Sequence, residues 1–112
     1  MLRDYTHENG IYFVVFRSGQ NDVGSGTVVV KEGAVNGGDF GFTYQGRIQD
    51  GRLNLHVSRH NPSAQNVIAG LNDYVMDLSL RDIGDGYYLE GSIAGVPGAN
   101  LAVQAKFIGG LI

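Results

Sequence analysis

Apolar and polar side chains alternate in short runs along this chain, and glycine stands in almost every gap between the runs. Alternation is typical of strands that bury one face, whereas helices place apolar residues three or four positions apart. The runs recur roughly every eight to twelve residues, the spacing found in sandwiches and barrels. The pattern predicts strands at 11–17, 25–31, 34–37, 40–49, 52–60, 73–82, 87–95 and 100–108.

An Asp-Gly turn at Asp50-Gly51 predicts the register of one hairpin. Asp-Gly tolerates the positive φ angles of a type I′ turn, so pairs can be counted outward from it. The apolar pairs are Ile48–Leu53, Gly46–Leu55 and Tyr44–Val57, and the polar pairs are Arg47–Asn54, Gln45–His56 and Thr43–Ser58. Because a slip of one residue would turn every apolar side chain to solvent, this partition favours the register.

Two further turns predict the same partition of faces. Glu32-Gly33 as a hairpin turn sets Val30 opposite Val35. Asp85-Gly86 as the second Asp-Gly turn sets Leu80 opposite Gly91 and Leu78 opposite Ile93 inside, with Arg81 opposite Glu90 and Ser79 opposite Ser92 outside. Each hairpin therefore has one apolar and one polar face.

Curvature indicates how the strands close. Gly46 and Gly91 fall at inward positions opposite a leucine, where a side chain would crowd a strongly bent sheet. Consecutive antiparallel strands with short loops then favour an up-and-down barrel over a two-sheet sandwich. We predict an all-β fold, an eight-stranded antiparallel barrel whose interior is filled or holds one small ligand.

The first strand is apolar on both faces. One face carries Ile11, Phe13 and Val15, and the other carries Tyr12, Val14 and Phe16. The outer side therefore needs a cover, which could be a loop, a short helix or a second copy of the chain. A short helix is predicted in 61–72, where Ser63 can cap a turn bearing apolar residues. Residues 1–9 are expected to form a flexible arm.

Composition narrows the class of protein. The chain has 112 residues, 43% hydrophobic and 17% charged, which fits one folded domain over 1–112. Its net charge is −3 and its eight Lys and Arg residues are scattered, so nucleic acid is not an expected partner. The N-terminal stretch has no apolar signal core and no 18 apolar residues run together, so we expect a cytoplasmic protein that does not enter membranes.

The side chains that could carry chemistry are poorly spaced for it. His56 and His60 share a strand face but stand about 13 Å apart, too far for one metal ion. Ser58, His60 and Asp77 lack the spacing of a catalytic triad and any nucleophile elbow. The glycines of "GSGTVVVKEGAVNGGD" lack the Gly-Lys-Ser/Thr of a phosphate loop. We therefore predict no catalytic site, metal or cofactor.

Several segments together resemble one family. "NGIYFVVF", "GSGTVVVKEGAVNGGDF", "TYQG", "LHVSRHN" and "QAKFIGGL" follow one another as in the GrlR family, negative regulators of bacterial type III secretion gene expression. The resemblance covers nearly the whole chain from Gly10. It implies a lipocalin-like barrel that forms a homodimer and binds a transcriptional activator protein without catalysis.

The turn after "YQG" is where this chain departs from the family. The resemblance implies that an acidic tract at this turn binds the activator, but this chain has Gln49, Asp50, Gly51 and Arg52 at the turn. A basic groove would find one carboxylate and an opposing cation, so the turn is interpreted as a tight structural hairpin.

Three functions stay open at this stage. A regulatory protein-binding module comes first, a carrier of a small apolar molecule or lipid second because such barrels can enclose a pocket, and an enzyme third.

Overall fold

The computed structural model describes residues 9–64, 72–96 and 98–112, and these form a closed barrel of eight antiparallel strands. The strands are β1 (Gly10–Ser18), β2 (Asn21–Lys31), β3 (Ala34–Gly38), β4 (Phe42–Gln49), β5 (Arg52–Arg59), β6 (Asp73–Asp82), β7 (Gly86–Ile93) and β8 (Asn100–Gly109). Each strand pairs with its sequence neighbours, and β8 closes the barrel on β1. The barrel prediction is confirmed, and the sandwich is excluded.

The predicted helix lies mostly outside the described residues. Residues 61–64 form a turn in which the Asn61 side chain accepts from the Ser63 amide at 3.0 Å, while 65–71, with the predicted apolar positions, are not described. The described ranges hold no helix, hence none that could cross a membrane. Of the predicted arm only Asn9 is described, and its Oδ1 accepts from the Glu32 amide at 2.8 Å.

Alternation along the strands builds the core. Inward side chains of all eight strands meet in one apolar cluster, which also includes Ala64. The most deeply buried large side chains are Tyr12, Met76 and Leu78. Rings pack at angles within it: Tyr12 meets Phe107 edge to face at 5.6 Å between centroids. Burial of these side chains is the main favourable contribution to folding.

Two of the three predicted hairpin registers are confirmed. Glu32 and Gly33 have φ angles of 51° and 84°, and Asp50 and Gly51 have 54° and 74°, the double positive φ of a type I′ turn. Val30 pairs with Val35 across the first turn. All six predicted pairs between β4 and β5 are observed.

The register predicted between β6 and β7 is wrong by two residues. Leu80 pairs with Leu89, Leu78 with Gly91 and Met76 with Ile93, while outside Arg81 faces Tyr88 and Ser79 faces Glu90. Arg81 stacks on the Tyr88 ring, its guanidinium carbon 5.2 Å from the ring centroid, instead of pairing with Glu90.

The physical reason for the shift lies in which glycine turns the chain. Gly84 has φ 100° and its amide donates to the Asp82 carboxylate at 2.8 Å, so the turn comes earlier than Asp85-Gly86. Gly86 belongs to β7, where an added Cβ would lie 1.9 Å from the Ala105 carbonyl oxygen. Since a shift of two residues preserves the faces, the predicted inside and outside positions stay correct.

Candidate interaction surfaces

The barrel interior is filled by its own side chains. Its cavity measures about 50 Å³ and is lined only by apolar or aromatic residues of the described strands. Pockets that hold drug-sized ligands are roughly 300–1,000 Å³. The side chains at the cavity include Tyr12, Phe16, Leu78 and Val103. A ligand the size of a lipid would require these side chains to move apart.

The hairpin of Gln49, Asp50, Gly51 and Arg52 is held against its neighbour β6. The Arg52 guanidinium donates to Oδ1 of Asp77 from Nη2 at 2.9 Å and from Nε at 3.2 Å, and the Gly51 carbonyl accepts from the Leu80 amide at 2.9 Å. Arg52 is therefore paired within the sheet, while Gln49 and Asp50 are exposed at the turn. The turn has the tight structural geometry expected; a role in partner binding stays a prediction.

Apolar side chains lie together on the outer face of the sheet where β1 joins β2 and β8. We call this set the outer apolar stripe: Ile11, Phe13, Val15, Val29 and Ile108. Phe13 is 41% exposed and Ile108 54%. Ile11 pairs with Val29 on β2 and with Gly109 on β8, whereas Phe13 and Val15 face the polar residues Lys106 and Gln104 on β8. The structure thus confirms that the first strand is apolar on both faces.

The histidines weighed from the sequence do not come together. His56 Nε2 lies 2.6 Å from the Asp73 carboxylate, whereas His60 Nε2 lies 2.9 Å from the Asp39 backbone carbonyl oxygen. Ser58 stands between Thr43 and Asp73 in the sheet. Within the described residues no three His, Asp or Glu side chains are arranged to hold a metal ion.

Asp39 organises a site that the sequence reasoning missed. Its Oδ1 accepts from the amides of Gly41 and Phe42 at 2.8 and 2.7 Å, and its Oδ2 accepts from the Tyr44 hydroxyl. Burial, together with this bond and the Asp39 charge, raises the pKa of the Tyr44 phenol well above its usual value. The phenol thus stays protonated and donates to the carboxylate, tying the β3–β4 loop to the barrel interior.

Phe40 stands at the tip of this loop and is 77% exposed. Sequence reasoning placed it inside the fourth strand, but β4 begins at Phe42. Asp39, two residues before Gly41, is the sequence signal that could have located this loop. Asp side chains often accept a hydrogen bond from the backbone amide two residues later, and this bond favours a turn at that position. An aromatic ring is therefore displayed at the end of the barrel opposite the Asp50-Gly51 turn.

We expect Tyr44→Phe to lower the free energy of unfolding by about 1–3 kcal/mol at neutral pH, because a partly buried carboxylate oxygen of Asp39 loses its donor. The loss shrinks in alkali. Above pH 10 the unfolded phenol releases a proton that the folded one retains, so the wild type loses stability as pH rises, by about 1.4 kcal/mol per pH unit. Urea titrations at pH 8 and pH 11 measure the stability lost in Tyr44→Phe and the decrease of that loss at alkaline pH.

Tyr88→Phe is the control for this prediction, because a phenylalanine ring keeps the stacking with Arg81. It should leave the free energy of unfolding within about 0.5 kcal/mol of wild type. A Tyr44→Phe penalty of the same size at both pH values would contradict a protonated donor at Tyr44.

Comparison with models of protein families gives no match for this chain, and comparison with curated proteins gives none either. The resemblance to the GrlR family thus rests on the segments quoted above and stays a prediction.

Proposed function

We propose that this protein is a non-catalytic, protein-binding regulator of the GrlR type, which acts in the bacterial cytoplasm by binding a transcriptional activator. The observation that supports the proposal is a contrast between the interior and the exterior of the barrel. Side chains fill the interior and leave a cavity of only about 50 Å³, while several apolar side chains are exposed on the outside. A surface of this kind suits contact with other proteins. The filled interior favours this function over a carrier of lipids.

A homodimer is the first part of the proposal, and the outer apolar stripe is its interface. Because the eight described strands close into a barrel, none of them has a free edge for pairing between chains, so we expect association through side-chain faces. The stripe of Ile11, Phe13, Val15, Val29 and Ile108 lies on one face, so two copies related by a two-fold axis can bury it against itself.

Phe13→Asp tests the dimer. Sedimentation equilibrium should show that the wild type is a dimer at micromolar concentration. The dissociation constant of the variant should be at least about 100-fold higher, because each protomer would bury the carboxylate of Asp at position 13 in an apolar interface. Val75→Asp is the matched control, because Val75 is 38% exposed against 41% for Phe13 and lies on β6. Equal weakening by both variants, or a monomeric wild type, counts against the stripe as the interface.

The activator is the second part of the proposal. With Arg52 paired to Asp77, the turn offers one exposed carboxylate, Asp50, and no acidic tract. Removing that charge should thus change affinity for an activator by less than about threefold. The test of function is co-purification with a DNA-binding activator and repression of its reporter. Native mass spectrometry that finds a retained small molecule, with no effect on any reporter, would favour the carrier.

A further inference from the structure

An exposed aromatic ring, Phe40, is held on a loop that several hydrogen bonds fix in place. Phe40 is 77% exposed, more than any other phenylalanine or tyrosine among the described residues, so it adds little to the core. Aromatic side chains are enriched where proteins meet, because one ring buries a large area with few rotatable bonds. An exposed ring need not be a binding residue, so the hydrogen bonds and charges around Phe40 are the second observation.

The loop that carries Phe40 is fastened from both sides. The Asp39 carboxylate holds the Gly41 and Phe42 amides, and His60 Nε2 contacts the Asp39 carbonyl oxygen at 2.9 Å. The Gly41 carbonyl accepts from the amide of His60 at 2.9 Å. A Cβ on Gly41 would lie 2.4 Å from that of Ala64, so the two segments touch. The ring is thus presented on a preorganised backbone, which reduces the entropy lost on binding.

A positive charge without an ion-pair partner among the described residues lies at the same end of the barrel as the ring. Arg59 pairs with Phe42 in the sheet and donates from Nη1 to the Ala64 carbonyl oxygen at 3.2 Å, a neutral partner. The ion pairs of the described residues involve Arg17, Arg52 and His56 but not Arg59. Asp39, the carboxylate of the same loop, forms no ion pair with Arg59. The charge of Arg59 is therefore available to attract carboxylates on a partner.

We propose that Phe40 is the anchor through which this barrel binds its protein partner, and that the partner offers an apolar pocket rimmed by Asp or Glu. The proposal rests on the protein-binding function above and assigns it to the Phe40 end of the barrel, away from the Asp50-Gly51 turn. Burial of the Phe40 ring in the pocket supplies most of the affinity, and attraction between Arg59 and the carboxylates around the pocket orients the partner.

Photo-cross-linking in the full chain tests the site. p-Benzoylphenylalanine replaces Phe40, or Asp50 as the comparison, in cells that naturally make the protein. We expect position 40 to cross-link a protein other than this chain, at a peptide that lines an apolar pocket with acidic neighbours. Affinity of that protein should fall at least about 30-fold with Phe40→Ala and about 3- to 10-fold with Arg59→Gln. Ile83→Ala, 40% exposed at the opposite end, should change it less than twofold.

The outcomes separate this inference from the proposed function. A partner captured from position 50 but not from 40 overturns the anchor and keeps the protein-binding function. Capture from neither position removes support from both. Cross-links from position 40 only to a second copy or within the chain itself, or an unchanged affinity of Phe40→Ala, also refute the anchor. Circular dichroism of each variant verifies the fold, which an exposed substitution should leave intact.

Discussion

Gly91→Ala lowers the free energy of unfolding by about 3 kcal/mol, as we expect from overpacking against atoms that cannot rotate away. A Cβ at Gly91 would lie 1.8 Å from the backbone carbonyl oxygen of Asp77 and 3.0 Å from Cα of Leu78. These are main-chain atoms of the adjacent strand, so relief requires the β6–β7 pairing to open. Urea titration followed by circular dichroism measures the loss, as a lower midpoint with little change in slope.

Gly24→Ala is the matched control for this substitution. Gly24 also lies in a strand, has no positive φ angle, and an added Cβ would meet nothing within 4 Å. Replacing it should stabilise the protein by about 0.4–1 kcal/mol, because alanine has less freedom to lose on folding. Equal stability of the two variants would mean that the strands can separate at Gly91 without cost.

The second large effect is expected from Leu78→Ala, which should cost about 3–4 kcal/mol of unfolding free energy. Leu78 is fully buried at 0% exposure and lines the interior cavity of about 50 Å³. Truncation enlarges that cavity, and a rigid closed barrel is poorly able to collapse around it. The lost side chain therefore costs both its transfer free energy and the void. Thermal and urea unfolding report the change.

Val75→Ala, on the outer face of the same strand, separates burial from strand propensity. Val75 is 38% exposed, so its truncation should cost less than about 1 kcal/mol. The enlarged apolar void of Leu78→Ala should also stay dry and accept xenon or benzene, raising the stability of that variant but not of wild type. A benzene effect of equal size in wild type would show that the native interior opens readily.

Much of the fold could be predicted because its determinants are local. Asp50 and Gly51 supply the two positive φ angles of their turn, and alternation on either side leaves one register that buries the apolar face. The β6–β7 turn shows where this reasoning fails: Gly84 and Gly86 compete for the turn, and local preference does not choose between them. The choice comes from Ala105 on β8, whose backbone lies where a side chain at position 86 would stand.

The candidate site was less predictable, because its contacts join residues far apart in the sequence. The sequence predicts that Arg52 is an opposing charge at the turn, yet Asp77, 25 residues on, pairs with it. The sequence predicts a strand at Phe40, but its neighbours Asp39 and Gly41 contact His60 and Ala64 on a different loop, and this arrangement leaves the Phe40 ring exposed. These are properties of a barrel end, which exists only after closure brings separate loops together.

The eight strands, their inward and outward faces and two hairpin turns follow from local sequence, because alternation and turn geometry act between residues a few positions apart. The β6–β7 register, the near-complete filling of the interior and the pairing of Arg52 with Asp77 depend on contacts between distant segments. The fastened loop that displays Phe40 belongs to the same group. Each depends on which backbones approach when the sheet closes, and that distance is set by the curvature of the whole barrel.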